Sequence, residues 1–600
     1  MILDGTLETR LYAIESIELP RIIKDRLPKI QSVFQPESPS DIQKLFSYCL
    51  KKRIPLIPRG AATSGIGCIA PLKKSVMADL TLLNRIKDFE EKKKSITVEA
   101  GIRWWELKEF LKKQSLDLFT SPTSLFSTVG GWLSTGGYGI NSFRYGHISN
   151  LVEAIEIASP GKTRWVNRAD PDFMFFVGTE GQMGIITKVK LRVRESRRSR
   201  SYLAFFNSFS DAVNFLTDLP QSLKTPPLHI ACFDRCRLEH KNYFLNGKIT
   251  FRPKEGVLVV LDDPSSGEAL SDLAEKKAGK MADDCFASFV WNERYFPLSL
   301  KHFYPSILGC EILLPVKNLD HYIAGTRKFG QNYGLSLSTE ATLISPNEAV
   351  VFTIFPSDRK KITHLFHLFL IYSLTRIAFR HGGKPYGIGT WNLPLARKLF
   401  TQKEREGRRA FKKVADPLNI INPAKSFSSQ HPFSSLLKAA YSMSGLFTAG
   451  IPVLKPFLKT PKNNSKAPRH IPSEPEACAN CGACAAVCPA YLTERTELVT
   501  AKGKLFLFKQ MLNGSSVPRS AAEKAFLCLH CHLCEHVCQS KLSLVPVWEN
   551  LESLLEKKYG RPEDKIKAFI DKVESHPAYT QLLDSIGIPA NGIREETRHV

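Results

Sequence analysis

Eight of the fourteen cysteines fall into two groups of identical spacing: Cys478, Cys481, Cys484, Cys488 and Cys528, Cys531, Cys534, Cys538. Each group reads C-x2-C-x2-C-x3-C, and Pro489 follows the first. Three closely spaced thiolates plus a fourth, repeated once, match the corners of two [4Fe–4S] cubanes. In paired runs of this kind the fourth cysteine serves the other cluster. That assigns Cys478, Cys481, Cys484 and Cys538 to one cluster, and Cys488, Cys528, Cys531 and Cys534 to the second. Structural zinc also uses paired C-x2-C units, but two four-cysteine runs suit cubanes better. Gln539 stands where a second proline would follow, which loosens a turn and removes no ligand. His530, His532 and His536 read as hydrogen-bonding neighbours rather than ligands. The chemistry is one-electron transfer.

Three glycine-dense turns, each beside an apolar strand, form a second signature. The first is Arg59-Gly60-Ala61-Ala62-Thr63-Ser64-Gly65-Ile66-Gly67; the second runs Thr128–Gly139, with Arg144-Tyr145-Gly146 after it; the third is Val177–Thr187. Small residues let backbone amides approach a ligand closely, and a nest of amides binds phosphate. The elements that must hold the first turn are legible. Ser38 caps a helix over Asp41–Lys52 whose Ile42, Leu45, Phe46 and Cys49 share one face. The short apolar run Pro55–Pro58 then reads as a buried strand.

In order and content these turns resemble the PCMH-type FAD-binding domain of the vanillyl-alcohol-oxidase superfamily, over about residues 25–197. The resemblance implies that Arg59, Gly60, Ala61, Ala62, Thr63, Ser64 and Gly65 cradle the FAD pyrophosphate. Pro122, Thr123, Gly130, Gly131, Ser134, Gly136 and Gly137 would line the flavin, with Tyr145 beside them. Gly181, Gly184, Ile185 and Ile186 would meet the adenine side or the ring edge. Ala61 and Ala62 replace the family's usual glycines, so the two cannot both require positive φ. Some members tether FAD through a histidine here; none lies between Arg59 and Pro71, so the expectation is noncovalent FAD.

Residues 198–425 mix strands such as Val257–Leu261 and Val350–Phe355 with a helix over Ile362–Arg380, and resemble the family's cap domain. The closing Asp416-Pro417-Leu418-Asn419-Ile420-Ile421-Asn422-Pro423-Ala424-Lys425 is similar to the D-P-x-x-I-x-N-P-G-K motif of the D-lactate dehydrogenase and glycolate oxidase branch. That branch carries H-x-G-D-G-N and E-H-G-I-G signatures for a metal and a base. Neither is present, and Pro385 and Tyr386 occupy the Glu and His places of the second. Hydride removal from a hydroxyl-bearing carbon needs a base within hydrogen-bond reach. The expected candidates are Tyr386, its pKa lowered by Lys384, or else Glu340 or His381. The alternative is that Tyr386 and Trp391 pack over the flavin.

The fold class expected is α+β: an N-terminal extension (1–24), a two-part FAD-binding domain (25–197), an α/β cap (198–425), an apolar-basic linker (426–472), a mainly helical dicluster domain (473–552) and a helical tail (553–600). The dicluster part resembles the helical ferredoxin-like domain of glycolate oxidase iron–sulfur subunits, with Ala501-Lys502-Gly503-Lys504 at a helix start. An amphipathic helix is expected over Asp564–Leu583. The net charge of +25, from 83 basic and 58 acidic residues, comes without any nucleic-acid-binding motif. It points to an acidic electron carrier or an anionic membrane face. The linker's apolar Phe433–Leu458 would lie in a membrane interface or pack between domains. Scattered remaining cysteines and no signal peptide point to a reducing cytoplasm.

The function expected is an FAD-linked dehydrogenase that oxidises a small hydroxy acid such as D-lactate or glycolate and passes electrons through both clusters to an external acceptor, quinone-linked or an electron-transfer protein. The alternatives are a metal-independent polyol or secondary-alcohol dehydrogenase, and a noncatalytic electron-transfer subunit.

Overall fold

The computed structural model describes residues 2–16, 27–245, 254–263, 265–427, 432–448 and 474–579. Ser38 accepts a hydrogen bond from the Asp41 amide at the start of the helix Pro39–Lys52, which buries Ile42, Leu45, Phe46 and Cys49 as its periodicity requires. This helix links two strands of a four-stranded sheet that each pair in parallel with the strand between them. The strands are β1 (Ile2–Leu3), β2 (Ile30–Phe34), β3 (Leu56–Arg59) and β4 (Ser75–Asp79), in the order β1-β2-β4-β3. Strand β3 delivers Arg59 and the first glycine turn at its end.

A second sheet is antiparallel. Its strands are β5 (Ile86–Glu90), β6 (Ser95–Glu99), β7 (Leu116–Leu118), β8 (Val152–Ser159), β9 (Lys162–Asn167) and β10 (Ile185–Glu195). They run β5-β6-β10-β8-β9, with β7 also on β10. The third glycine turn leads into β10.

The cap is an eight-stranded antiparallel sheet: β11 (Arg200–Phe206), β12 (His229–Phe233), β13 (Glu255–Leu261), β14 (Lys280–Met281), β15 (Ser306–Pro315), β16 (Ser338–Leu343), β17 (Glu348–Ser357) and β18 (Lys384–Pro385). Their order is β14-β11-β13-β12-β16-β17-β15-β18. Period-two alternation sends Leu308, Cys310, Ile312 and Leu314 of β15 into the core beneath the helix Thr363–Arg380. Ile307, Gly309 and Glu311 face the other way.

The linker's first half is a helix, Pro432–Thr448, lying on Thr363–Arg380. Leu437 and Phe447 enter the cap core, and Arg376 donates to Ser444 Oγ (2.9 Å) and the Tyr441 carbonyl (2.7 Å). Residues 428–431 and 449–473, with the remainder of the apolar Phe433–Leu458 stretch, lie outside the described residues. Among the described residues no helix is long and apolar enough to cross a membrane.

The dicluster region wraps short turns around the helices Ala501–Leu512 and Val545–Tyr559, whose Leu505, Trp548, Leu551 and Leu555 share a core with Leu11 and Ile14. The N-terminal segment is thus no appendage. Its Ile2–Leu3 adds a strand to the first sheet, and Glu8 takes an ion pair from Lys524 (2.6 Å). The expected helix Asp564–Leu583 is present as Glu563–Glu574, is broken at Ser575 and His576 and is helical again over 577–579, while 580–583 lie outside the described residues. The residue before Pro577 is disfavoured in helical conformation, so the ladder stops there.

Candidate active site

The three glycine turns and the cap sheet enclose a cavity of about 450 Å³. Every expected cofactor residue lines it except Gly137 and Tyr145. The Gly137 amide instead donates to His147 Nε2 (2.8 Å), and the Tyr145 ring packs edge-on against Phe119. Close contact explains the glycines. A Cβ on Gly60 would stand 2.3 Å from Thr128 Oγ1, and one on Gly130 would stand 2.5 Å from the Ala100 Cβ. Ala62 takes a φ of +56° and Ala61 does not, so only one of the two alanines bears left-handed strain.

Arg59 needs a correction. Its backbone lines the cavity, but its guanidinium is committed elsewhere: Nε donates to the Tyr12 carbonyl (3.2 Å), Nη1 to Asp79 Oδ1 (3.3 Å) and the Gly60 carbonyl, and Nη2 to Glu497 Oε1. The Tyr12 ring covers it at 4.8 Å. Glu497 belongs to the dicluster domain, so Arg59 is a clamp between that domain and the first turn, and the pyrophosphate is left to the turn's amides. Polar atoms in the wall await a partner. Glu180 Oε2 and Trp391 Nε1 are buried without a hydrogen bond, while Glu180 Oε1 accepts from the Gly389 amide (2.7 Å). Amide-rich turns and open polar atoms around this cavity fit FAD.

The cysteines gather in two places. Cys488, Cys528, Cys531 and Cys534 line one small cavity of about 30 Å³, shared with Lys504, His530, His532 and Trp548. Cys481 and Gln539 reach the wall of the larger cavity, and Gly482 is pressed against the Ala61 carbonyl. The Asn480 amide donates to Cys478 Sγ (3.4 Å) and the Lys502 amide to Cys484 Sγ (3.3 Å). Burial, with Cys478 close by, pushes the Cys481 and Cys538 thiols up to about 12. Such thiols ionise at neutral pH only when iron displaces the proton. Both groups fit cluster ligation. His530 Nε2 lies 3.1 Å from Glu552 and His532 Nδ1 lies 2.8 Å from Glu535. Among the described residues, no three or more His, Cys, Asp or Glu side chains converge where a single metal ion would sit.

Of the four expected catalytic residues, only Tyr386 reaches the flavin cavity. Its hydroxyl accepts from the Tyr138 amide (2.7 Å) and donates to the Tyr138 carbonyl (3.1 Å). Burial and then the neighbouring Glu311 push its pKa upward, not downward. Lys384 does not help: its ammonium pairs with Glu348 (3.2 Å). Glu340 faces Arg237 at 3.0 Å, and Arg237 with Lys241 holds its carboxyl below the ordinary value despite burial. His381 ends the helix Thr363–Arg380 with its ring beside His321.

The cap supplies a different carboxyl. Glu311 on β15 is open to the cavity and otherwise enclosed, and burial raises it to about 7. Its carbonyl accepts from the Tyr386 amide (3.2 Å), which fixes the two side by side. Phe352 stands opposite Glu311 in the sheet, and Pro297, Leu298, Ile307 and Ile354 add apolar surface to the same cavity wall. One signal could have found it: Glu311 is the lone charge in the strand Ser-Ile-Leu-Gly-Cys-Glu-Ile-Leu-Leu-Pro.

Comparison with known proteins agrees with this geometry. Residues 30–166 match the FAD binding domain family, 195–426 the FAD linked oxidases C-terminal domain, and 474–542 the 4Fe-4S dicluster domain. The chain therefore carries an FAD binding domain and the C-terminal domain of FAD linked oxidases, followed by a 4Fe-4S dicluster domain. It is 22% identical to a glycolate oxidase subunit of Bacillus subtilis, over 67% of this chain and 91% of that one. It is also 22% identical to a D-lactate dehydrogenase of Archaeoglobus fulgidus, over 68% and 94%. Among solved structures it is similar to p-cresol methylhydroxylase with substrate bound, with a TM-score of 0.61 at 14% identity over 71% of this chain and 94% of that one. An alkyldihydroxyacetonephosphate synthase gives 0.54 at 20% identity over 66% and 77%. This FAD-linked oxidoreductase therefore joins a PCMH-type flavin fold and a dicluster domain in one polypeptide.

Proposed function

We propose that this enzyme is an FAD-dependent dehydrogenase acting on a neutral, hydroxyl-bearing substrate with an apolar body, and that its two clusters carry the electrons to an external acceptor. The observation that supports this reading is the Glu311 carboxyl beside Tyr386 in the cavity wall, which has no ion-pair partner among the described residues. A carboxyl near 7 is both available and strong enough as a base at neutral pH. Glu311 takes the hydroxyl proton while the carbon's hydrogen departs with its electron pair. FAD, when bound, supplies the two-electron acceptor for that pair. The apolar residues around Glu311 exclude water, and Tyr386 stays protonated, bridging the Tyr138 backbone.

Charge argues for a neutral substrate. Among the described lining residues there is no lysine or histidine, and the one arginine, Arg59, is saturated. A substrate carboxylate would meet Glu311 with no cation to offset the repulsion. FAD is read as noncovalent, since no histidine stands in the described wall. The near cluster is assigned to Cys478, Cys481, Cys484 and Cys538, and the far one to Cys488, Cys528, Cys531 and Cys534. The acceptor is read as an acidic electron-transfer protein or a quinone-linked partner, which the basic surface suits. The thiol-rich composition suits a cytoplasmic setting.

A second reading keeps a small D-2-hydroxy acid as substrate. It is favoured by the glycolate oxidase subunit and D-lactate dehydrogenase relatives, 91% and 94% of which this chain spans. Anaerobic mixing separates the two. Bleaching of the flavin absorbance by secondary alcohols or polyols, and not by D-lactate or glycolate, supports the first. Bleaching by the hydroxy acids alone supports the second, and bleaching only by reduced electron carriers removes both.

A further inference from the structure

Two lysines at the start of one helix meet different fates. In Ala501–Leu512, both Lys502 and Lys504 are buried, with side chains 1% exposed. Lys502 has a full partner, Glu497 Oε2 at 2.8 Å, and a further acceptor in the Ile14 carbonyl at 3.3 Å. Lys504 lacks one. Its Nζ makes no hydrogen bond to oxygen or nitrogen, lies over the Trp548 ring at 5.3 Å and stops 4.0 Å from Glu552 Oε1. What it does face is the cavity ringed by Cys488, Cys528, Cys531 and Cys534.

A buried ammonium whose one carboxylate stands at 4.0 Å and is shared with a histidine is only partly neutralised, and the thiol of Cys528 is its other neighbour. Four thiolates around a cubane make an anion, and each electron added makes it more negative. A fixed positive charge favours the reduced state, and net charge and hydrogen bonds near the sulfurs are what set such potentials. We propose that Lys504 is the positioning residue that raises the reduction potential of the far cluster, so that electrons entering at the flavin side settle there before leaving for the acceptor. The inference rests on the cluster assignment above. Lys504 keeps its proton throughout: the far cluster gains one electron that originates in the substrate, and gives it to the external acceptor.

The Glu552 carboxylate, shared between Lys504 and His530, opposes this effect. The two residues should therefore move the potential in opposite directions. The test is an anaerobic redox titration of the full chain followed by electron paramagnetic resonance, on the wild type, Lys504→Met, Lys504→Arg and Glu552→Gln. Lys504→Met should shift the reduced-to-oxidised ratio of one cluster at least tenfold toward oxidised, which is 59 mV for one electron. Lys504→Arg should restore it, Glu552→Gln should move it the other way, and the second cluster should hold its place. Unchanged potentials in Lys504→Met overturn the proposal. If that variant fails to assemble the cluster, Glu552→Gln decides, and a null or downward shift there overturns it equally. A wild type with clearly fewer than about eight irons per chain would instead remove the assignment beneath it.

Discussion

The clamp between Arg59 and Glu497 ties the flavin loop to the electron relay, and Glu497→Gln probes it directly. Glu497 sits between Arg59 Nη2 and Lys502 Nζ, with its side chain 4% exposed. Burial alone would raise its carboxyl; Arg59 first and Lys502 next overcome that and hold it at about 2. Set against an ordinary 4.5, that depression corresponds to about 3 kcal/mol of stability at neutral pH. Removing one partner of a buried pair costs a similar ~3–5 kcal/mol, because the other charge is stranded. Here Lys502 would keep only the Ile14 carbonyl, while Arg59 would retain Asp79. Because the folded carboxyl lies below the unfolded one, this stability is complete above about pH 4.5 and drains away as pH falls toward 2. Urea unfolding followed by circular dichroism, at pH 7 and again near pH 3, should show a deficit of about 3 kcal/mol for the variant that narrows on acidification. At neutral pH, substrate should still bleach the flavin while passage of electrons to the clusters slows. A variant within about 0.5 kcal/mol of wild type at pH 7, or a deficit independent of pH, would refute the clamp.

Glu311→Gln should lower kcat/KM by about 10²- to 10⁴-fold. Wild-type activity should rise as pH climbs through about 7, where Glu311 ionises, and this limb of the profile should vanish in the variant. Tyr386→Phe should keep that limb while destabilising the fold by about 1–3 kcal/mol, since it strands the Tyr138 amide and carbonyl; loss of the limb would restore Tyr386 as base. Cys534→Ser should abolish the spectroscopic signal of one cluster and leave yellow flavin bound, and loss of FAD would show the two modules to be inseparable.

Local chemistry dictated much of this. Ligand spacing, three glycine turns, the Ser38 cap and the strand and helix periodicities act over a few residues, and the structure carries them where the chain says they should be. The tail helix is broken after Glu574 because Pro577 disfavours a helical residue before it, a break that the amphipathic stripe does not reveal.

Long-range partners were out of reach. Arg59 reads as a phosphate ligand until Glu497, 438 residues later, takes its guanidinium. Tyr386 reads as an activatable base until burial and Glu311 push its proton on more firmly. Glu311 stands out in sequence only as the lone charge of its strand, and the packing of β15 decides that it opens into the cavity. Residue order thus determined which groups and turns exist, because those depend on neighbours in sequence. Only tertiary structure decided which charges are neutralised and which remain to act, because burial and the distance between charges are properties of packing.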